Sequence, residues 1–377
     1  MNEMTEHETD DLGHESEWSE ESLASNGASQ CSDSFGYNDF DTDRVKPGYP
    51  AGCPVKACST RLLRIPFGKR SPALFCPKHG IRLHADTFVY WNGADKKARN
   101  TASLRNFQIR PDLTTKIALN SKEKAESHRL GFEMSEDALS WNVFVALAEA
   151  QKLGEVVTFL TGYNVDKEPS LYLWGQLVDL GGVKHQGFEP LDRVRATLEK
   201  DILRFTTEPD IMLVVDSKLI VCIEAKFGSG NPLAYESTVQ PGDKPTGRQA
   251  LFSRYLDGAG KTTQGIIDRR QIDEVFNSQL FRNVVFASEM ADGADWHVVN
   301  LVSKTQWSSD KKSKHSSYDD PATRVQRYLR KDVRDRFTYR TWEDLYSSVI
   351  KPNIQLKGLD EYMRSKSAHF HRAFALG

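Results

Sequence analysis

The chain has 377 residues, 39% of them apolar, and a formal charge of -2 at neutral pH. That supplies a sizeable core for two or three domains, and no run approaches the roughly 18 apolar residues of a membrane span. The N-terminus is acidic and has no apolar signal core, and five cysteines (Cys31, Cys53, Cys58, Cys76, Cys222) are too few and too uneven for a disulfide scaffold, so a reducing, cytoplasmic setting is expected.

Residues 1–43 hold 13 Asp or Glu and no Lys or Arg, which leaves the rest of the chain at +11. An acidic tail on a basic body fits a polyanion binder whose tail competes for the same surface, or a solvated tail that aids solubility. Residues 1–48, rich in Ser, Glu, Asp and Asn, are expected to be disordered.

Residues 49–92 read as a small, separate module. Cys53, Cys58, Cys76 and His79 give C-x4-C, 17 intervening residues, then C-x2-H. Three thiolates and an imidazole make an acceptable tetrahedral zinc set, with His84 as an alternative fourth ligand. Pro54 and Pro77 mark a tight turn at each pair. Between Cys53 and Arg82 there are seven basic residues (Lys56, Arg61, Arg64, Lys69, Arg70, Lys78, Arg82) and no Asp or Glu, a bias that suits phosphate-backbone binding.

Residues 93–134 read as a polar connector with a short helix. Ser135 is a good N-cap, with Glu136 and Asp137 in the first turn where the helix dipole favours them. Leu139, Val143 and Leu147 recur at helical spacing to about Gln151. Residues 156–162 and 172–180 read as strands. Residues 211–215 and 219–225 are apolar runs separated by Asp216-Ser217-Lys218, a hairpin signal. Residues 228–247 read as a long Gly- and Pro-rich loop, 248–256 as helix, 283–288 and 297–302 as strands, and the chain beyond Trp342 as helix. Strands and helices mixed in this way argue for an α/β core at 135–302, followed by a helical extension at 303–377.

The chemistry concentrates at the hairpin. With a three-residue loop Val215 pairs with Leu219, and each step outward keeps the register until Asp210 opposes Glu224. Opposed residues have Cβ atoms about 5 Å apart, close enough for two carboxylates to hold one divalent cation. The second strand is apolar on both faces, as in a buried central strand. Glu224 and Lys226 at its end are costly there unless paired or bound to a metal. The plainer alternative is an ion pair where a strand meets water.

Glu208-Pro209-Asp210, the apolar hairpin and Glu224-Ala225-Lys226 resemble the PD-(D/E)XK nuclease superfamily over residues 135–302. The resemblance implies a restriction-endonuclease-like fold, a mixed central sheet flanked by helices. It implies DNA hydrolysis with Mg²⁺ or Mn²⁺ held by Asp210 and Glu224, and with Lys226 orienting the attacking water and offsetting phosphate charge. Members often add a glutamate from the helix before the sheet, matched by Glu136, and some a glutamine from a following helix, matched in location by Gln249. DNA is then the expected partner, alone or through a homodimer or a partner protein, in a setting of bacterial defence, restriction or a mobile element. A catalytically silent DNA-binding adaptor and an RNA-directed nuclease are the alternatives on the same fold. The stretch 258–263 (GAGKTT) lacks the preceding strand of a phosphate-binding loop, so ATP hydrolysis is not expected of this chain.

Overall fold

The structure is a computed structural model. It describes residues 52–67, 70–83, 88–90, 104–117, 128–182, 186–200, 206–216, 218–227, 230–231, 233–235, 254–256, 265–268, 271, 275–304, 321–369 and 376. Strands β1 (Leu63–Phe67), β2 (Arg70–Cys76), β3 (Ile81–Leu83) and β4 (Phe88–Tyr90) form an antiparallel sheet in sequence order. There follow α1 (Pro111–Ile117), α2 (Glu136–Glu149), α3 (Leu153–Thr161), β5 (Ser170–Leu173), β6 (Gln176–Leu177), α4 (Glu189–Leu198), β7 (Ile211–Val215) and β8 (Leu219–Ala225). The order continues with β9 (Leu233–Tyr235), β10 (Val275–Asn277), α5 (Ser278–Ala291), β11 (Asp295–Val302), α6 (Pro321–Tyr328), β12 (Phe337–Thr341), α7 (Trp342–Leu345) and α8 (Lys357–His369).

The main sheet runs β12-β11-β8-β7-β5-β6, with β11 parallel to β8 and β12 and the remaining pairs antiparallel. It is the mixed α/β sheet flanked by helices that the sequence predicts. All seven residues of β8 are buried, and the two-residue period of a strand sorts them between two cores. Leu219, Val221, Ile223 and Ala225 pack with α2, α3 and α8; Ile220 and Cys222 pack with α4, α5 and α6. The first core also takes in Cys53, Val55, Ile81 and Phe88 of the small sheet, and Val89 bridges Phe132 beside it. The two sheets therefore share one hydrophobic cluster.

Local sequence explains most elements and misleads at four. Ser135 caps α2 as expected, its side chain accepting from the Ala138 N–H at 3.2 Å. Residues Ala138 to Leu147 are all buried, so α2 is a core helix rather than an amphipathic one. Residues 156–162 are helix, not strand: Val156, Val157 and Leu160 are buried at helical spacing, and Gly162 ends α3 at φ 82, a conformation glycine adopts without strain. Residues 283–288 lie within α5, where Leu280, Val284 and Ala287 form a buried stripe. β-branched and aromatic residues favour strands locally, and packing on the sheet overrides that preference. The loop at 228–247 contains β9, paired with β10; 236–247 lie outside the described residues.

Residues 172–180 turn sharply at Trp174 and Gly175, with φ of 51 and 75, making the β5–β6 hairpin. The chain beyond 302 adds strand β12 to the main sheet, and Trp342 packs edge-on against Phe144 at 6.3 Å. No helix among the described residues is long and apolar enough to cross a membrane.

One buried group gives the fold a pH dependence. His297 on β11 is 1% exposed. The Thr338 hydroxyl donates to the Leu160 carbonyl at 3.0 Å, so it accepts from His297 Nε2 at 3.3 Å. This leaves Nδ1 unprotonated, buried and without a hydrogen-bond partner. Burial lowers the His297 pKa from 6.5 to about 4. Between those values the unfolded chain binds the extra proton, so this stabilisation is whole above about pH 6.5 and is lost as pH falls toward 4. Urea unfolding at pH 7 and pH 5 is expected to show a loss of up to about 2 kcal/mol from this group, and His297→Gln is expected to flatten the difference.

Candidate active site and metal centre

The β7–β8 register pairs Ile211 with Ile223 and Val215 with Leu219. The ladder begins at Ile211, as a three-residue loop predicts, and Asp210 stands one residue before it. Backbone groups fix the carboxylates. Asp210 Oδ2 accepts from the Ala225 N–H at 2.9 Å. Glu136, in the first turn of α2, reaches across from the other core, its Oε1 accepting from the Phe227 N–H at 2.8 Å. Glu224 is 1% exposed, and its Oε2 accepts from Asn283 Nδ2 at 2.8 Å.

Lys226 lies among these groups. Its Nζ is 2.6 Å from Glu224 Oε1 and 3.9 Å from Glu136 Oε2. Burial works against the ammonium, but the carboxylates of Glu224, Glu136 and Asp210 outweigh it and raise the Lys226 pKa above the usual lysine value. The charge on Lys226 is therefore held throughout the neutral range. Its backbone is tied as well: the N–H donates to the Leu301 carbonyl at 2.8 Å, and the carbonyl accepts from Trp342 Nε1 at 3.0 Å.

Three carboxyl groups against one ammonium leave negative charge in surplus, and an all-oxygen donor set suits a hard divalent cation. The residues thus fit Mg²⁺ or Mn²⁺ chemically. They are not drawn into one tight cluster: among the described residues, Cys53, Cys58, Cys76 and His79 are the group whose ligand atoms all lie within 4.8 Å of one another. Gln249 and His84 lie outside the described residues.

Sequence reasoning missed three asparagines. Asn300 on β11 is paired in register with Glu224 and donates to its carbonyl at 3.1 Å. Asn231 donates to Asn300 Oδ1 at 2.8 Å. Asn283 binds Glu224 from α5. The legible signal for Asn283 was a polar residue on the apolar stripe between Leu280 and Ala287, visible once 279–288 is taken as helix.

The Cys₃His set closes at β2 and the two turns beside it. Cys53 Sγ is 3.3 Å and Cys76 Sγ 3.6 Å from His79 Nδ1, and Cys58 Sγ is 3.9 Å from Cys76 Sγ. Tetrahedral zinc with ordinary bond lengths places sulfurs roughly 3.8 Å apart and sulfur and nitrogen roughly 3.5 Å apart. The cluster has that size, all four residues are buried, and it is compatible with structural zinc. The hydrogen bond from Cys53 lowers the Cys76 pKa, against the opposing effect of burial. Arg105 Nη1 donates to the His79 carbonyl at 2.6 Å and ties the module to the segment before α1.

A family model described as restriction endonuclease associating with ARP matches residues 63–366, most of the chain. No curated protein and no solved structure matches it.

Proposed function

The chain belongs to the family of restriction endonucleases associating with ARP, and on that premise we propose that it is a PD-(D/E)XK endonuclease that hydrolyses DNA phosphodiester bonds with a divalent cation. The observation that carries the reading is Asp210 bound to the Ala225 N–H, the residue between Glu224 and Lys226, with the Lys226 ammonium 2.6 Å from Glu224. Asp210, Glu224 and Glu136 hold the metal, Mg²⁺ or Mn²⁺. When bound, it supplies Lewis acidity toward the scissile phosphate. Lys226, kept charged by those carboxylates, orients the attacking water and offsets the negative charge that develops on the phosphate. The Ala225 and Phe227 amides and Asn283 each anchor one oxygen of these carboxylates, and closing the three on one cation takes side-chain movement. Gln249 remains a candidate for a phosphate contact.

We infer the same division of labour as the sequence implies: a zinc module at 49–92 with a basic bias toward the DNA backbone, and a catalytic core at 135–302, with β12 and Trp342 supporting it from beyond that range. The family's description names association with ARP, so we infer that a partner protein belongs to the working assembly, in a cytoplasmic system of restriction or defence. The deciding experiment incubates the protein with plasmid, linear and single-stranded DNA, with and without Mg²⁺ or Mn²⁺. Metal-dependent cleavage is expected; no cleavage of any substrate, with or without the partner, overturns the reading.

The tail offers a second test. Deleting residues 1–43 removes 13 negative charges from in front of a +11 body. Tighter non-specific DNA binding is expected at 25 mM salt, with the ratio to full-length protein shrinking near 0.1 M, where the screening length is about 10 Å. A ratio near one at low salt reduces the tail to a solubility element.

A further inference from the structure

Lys366 lies near the end of α8, far in sequence from the hairpin, yet it is fully buried. Its Nζ donates to Glu133 Oε1 at 2.9 Å and to the Glu133 backbone carbonyl, and both side chains are 0% exposed. The same ammonium lies 5.3 Å from the ring centroid of Phe227 and 5.7 Å from that of Tyr362. An ion pair withdrawn from water costs more in desolvation than an apolar pair of the same volume, so stability alone does not account for it.

The two segments that Lys366 touches are the two that carry the candidate site. Glu133 lies three residues before Glu136, and Phe227 directly follows Lys226. The Phe227 N–H is the donor that holds Glu136. Lys366 thus grips the start of α2 through Glu133 and the exit of β8 through the Phe227 ring. The hydrogen bond between Glu136 and Phe227 closes the loop. The Glu133 N–H also donates to the Phe88 carbonyl at 3.0 Å, which brings β4 of the small sheet to the same point.

We propose that Lys366, with Glu133, is a positioning pair that sets the spacing between Glu136 and the Glu224–Lys226 end of β8. It acts through Phe227 and takes no part in the chemistry. The proposal rests on the nuclease reading for its purpose, but its geometry can be tested separately. Lys366→Met alone strands a buried carboxyl, so the informative variant is Glu133→Gln with Lys366→Met, two neutral replacements of similar volume.

In that variant, hydrogen exchange at the Phe227 amide is expected to quicken by about tenfold or more, while the Val221 and Ile223 amides inside β8 keep their protection. Terbium(III) binding, read by tryptophan-sensitised luminescence, is expected to weaken by about 10- to 100-fold, as for other residues that orient metal ligands. If the double variant does not fold, Phe227→Leu keeps the ion pair and removes the ring; faster exchange of the amide at position 227 is again expected. Unchanged exchange at position 227 in a folded variant overturns the proposal. Absence of metal-dependent cleavage by the wild type overturns the nuclease reading instead, and the exchange result stands or falls by itself.

Discussion

Asp210→Ala, Glu224→Ala and Lys226→Ala are each expected to lower metal-dependent DNA cleavage by at least about two orders of magnitude, the usual cost of removing one group that stabilises charge in a transition state. The three differ in what else they disturb. Asp210 is only partly buried, so its replacement tests chemistry with least cost to the fold. Glu224 and Lys226 form a buried pair, 1% and 7% exposed, and removing one partner strands the other at a cost of about 3–5 kcal/mol. Glu224→Gln and Lys226→Met, which preserve shape, are therefore the companion variants. Each is to be assayed only where its thermal unfolding remains cooperative. A wild-type rate from any folded single mutant would sink the assignment of that residue, and wild-type rates from all three would return the site to an ion pair at a strand end. Glu136→Gln is expected to weaken metal binding much as Asp210→Asn does, because each carboxylate already spends one oxygen on a backbone amide, of Phe227 and of Ala225.

Loss of zinc is expected to destabilise the whole protein rather than the small module alone. About one zinc per chain is expected in protein purified without chelator, held by Cys53, Cys58, Cys76 and His79. Structural zinc carries an apparent binding free energy on the order of 10 kcal/mol in small modules, much of it spent on folding. Cys53 and Cys76 lie in the same hydrophobic cluster as Leu139, Val143 and Val221, so the module and the main sheet have no apolar boundary between them. Cys76→Ser, or prolonged chelation, is expected to lower Tm by on the order of 10 °C, given about 2–4 °C per kcal/mol in domains of this size. The transition should remain single. Two separate transitions, with the nuclease core unmoved, would show that the module folds independently. Elemental analysis without zinc removes the claim and leaves the cleavage prediction untouched.

The candidate site was largely legible because its information is local. A three-residue loop and two apolar runs set the register of β7 on β8, and that register carries Asp210 to the end of β8, where it binds the Ala225 N–H. The Cys₃His set was legible for a similar reason, since turns at Cys53–Cys58 and Cys76–His79 present each pair of ligands together. Glu136 was matched by resemblance to a glutamate on the helix before the sheet, and its side chain accepts from the Phe227 N–H just past the end of β8.

Other features depend on groups distant in the chain. Whether 156–162 or 283–288 becomes strand or helix is settled by the surface against which their valines pack, and that surface is built from β8 and β11. The burial of Lys366 on Glu133 spans 233 residues of sequence, and nothing near either residue announces it. By itself the sequence determined an α/β core, the hairpin that carries Asp210, Glu224 and Lys226, and the three cysteines of the zinc-type set, because backbone sterics, strand register and turn chemistry act over a few residues. Only the tertiary structure decided which apolar runs became helices, how the small sheet joined the main core, and which buried amides and ions hold the acidic cluster in place, because those depend on desolvation by residues that meet only when the chain is folded.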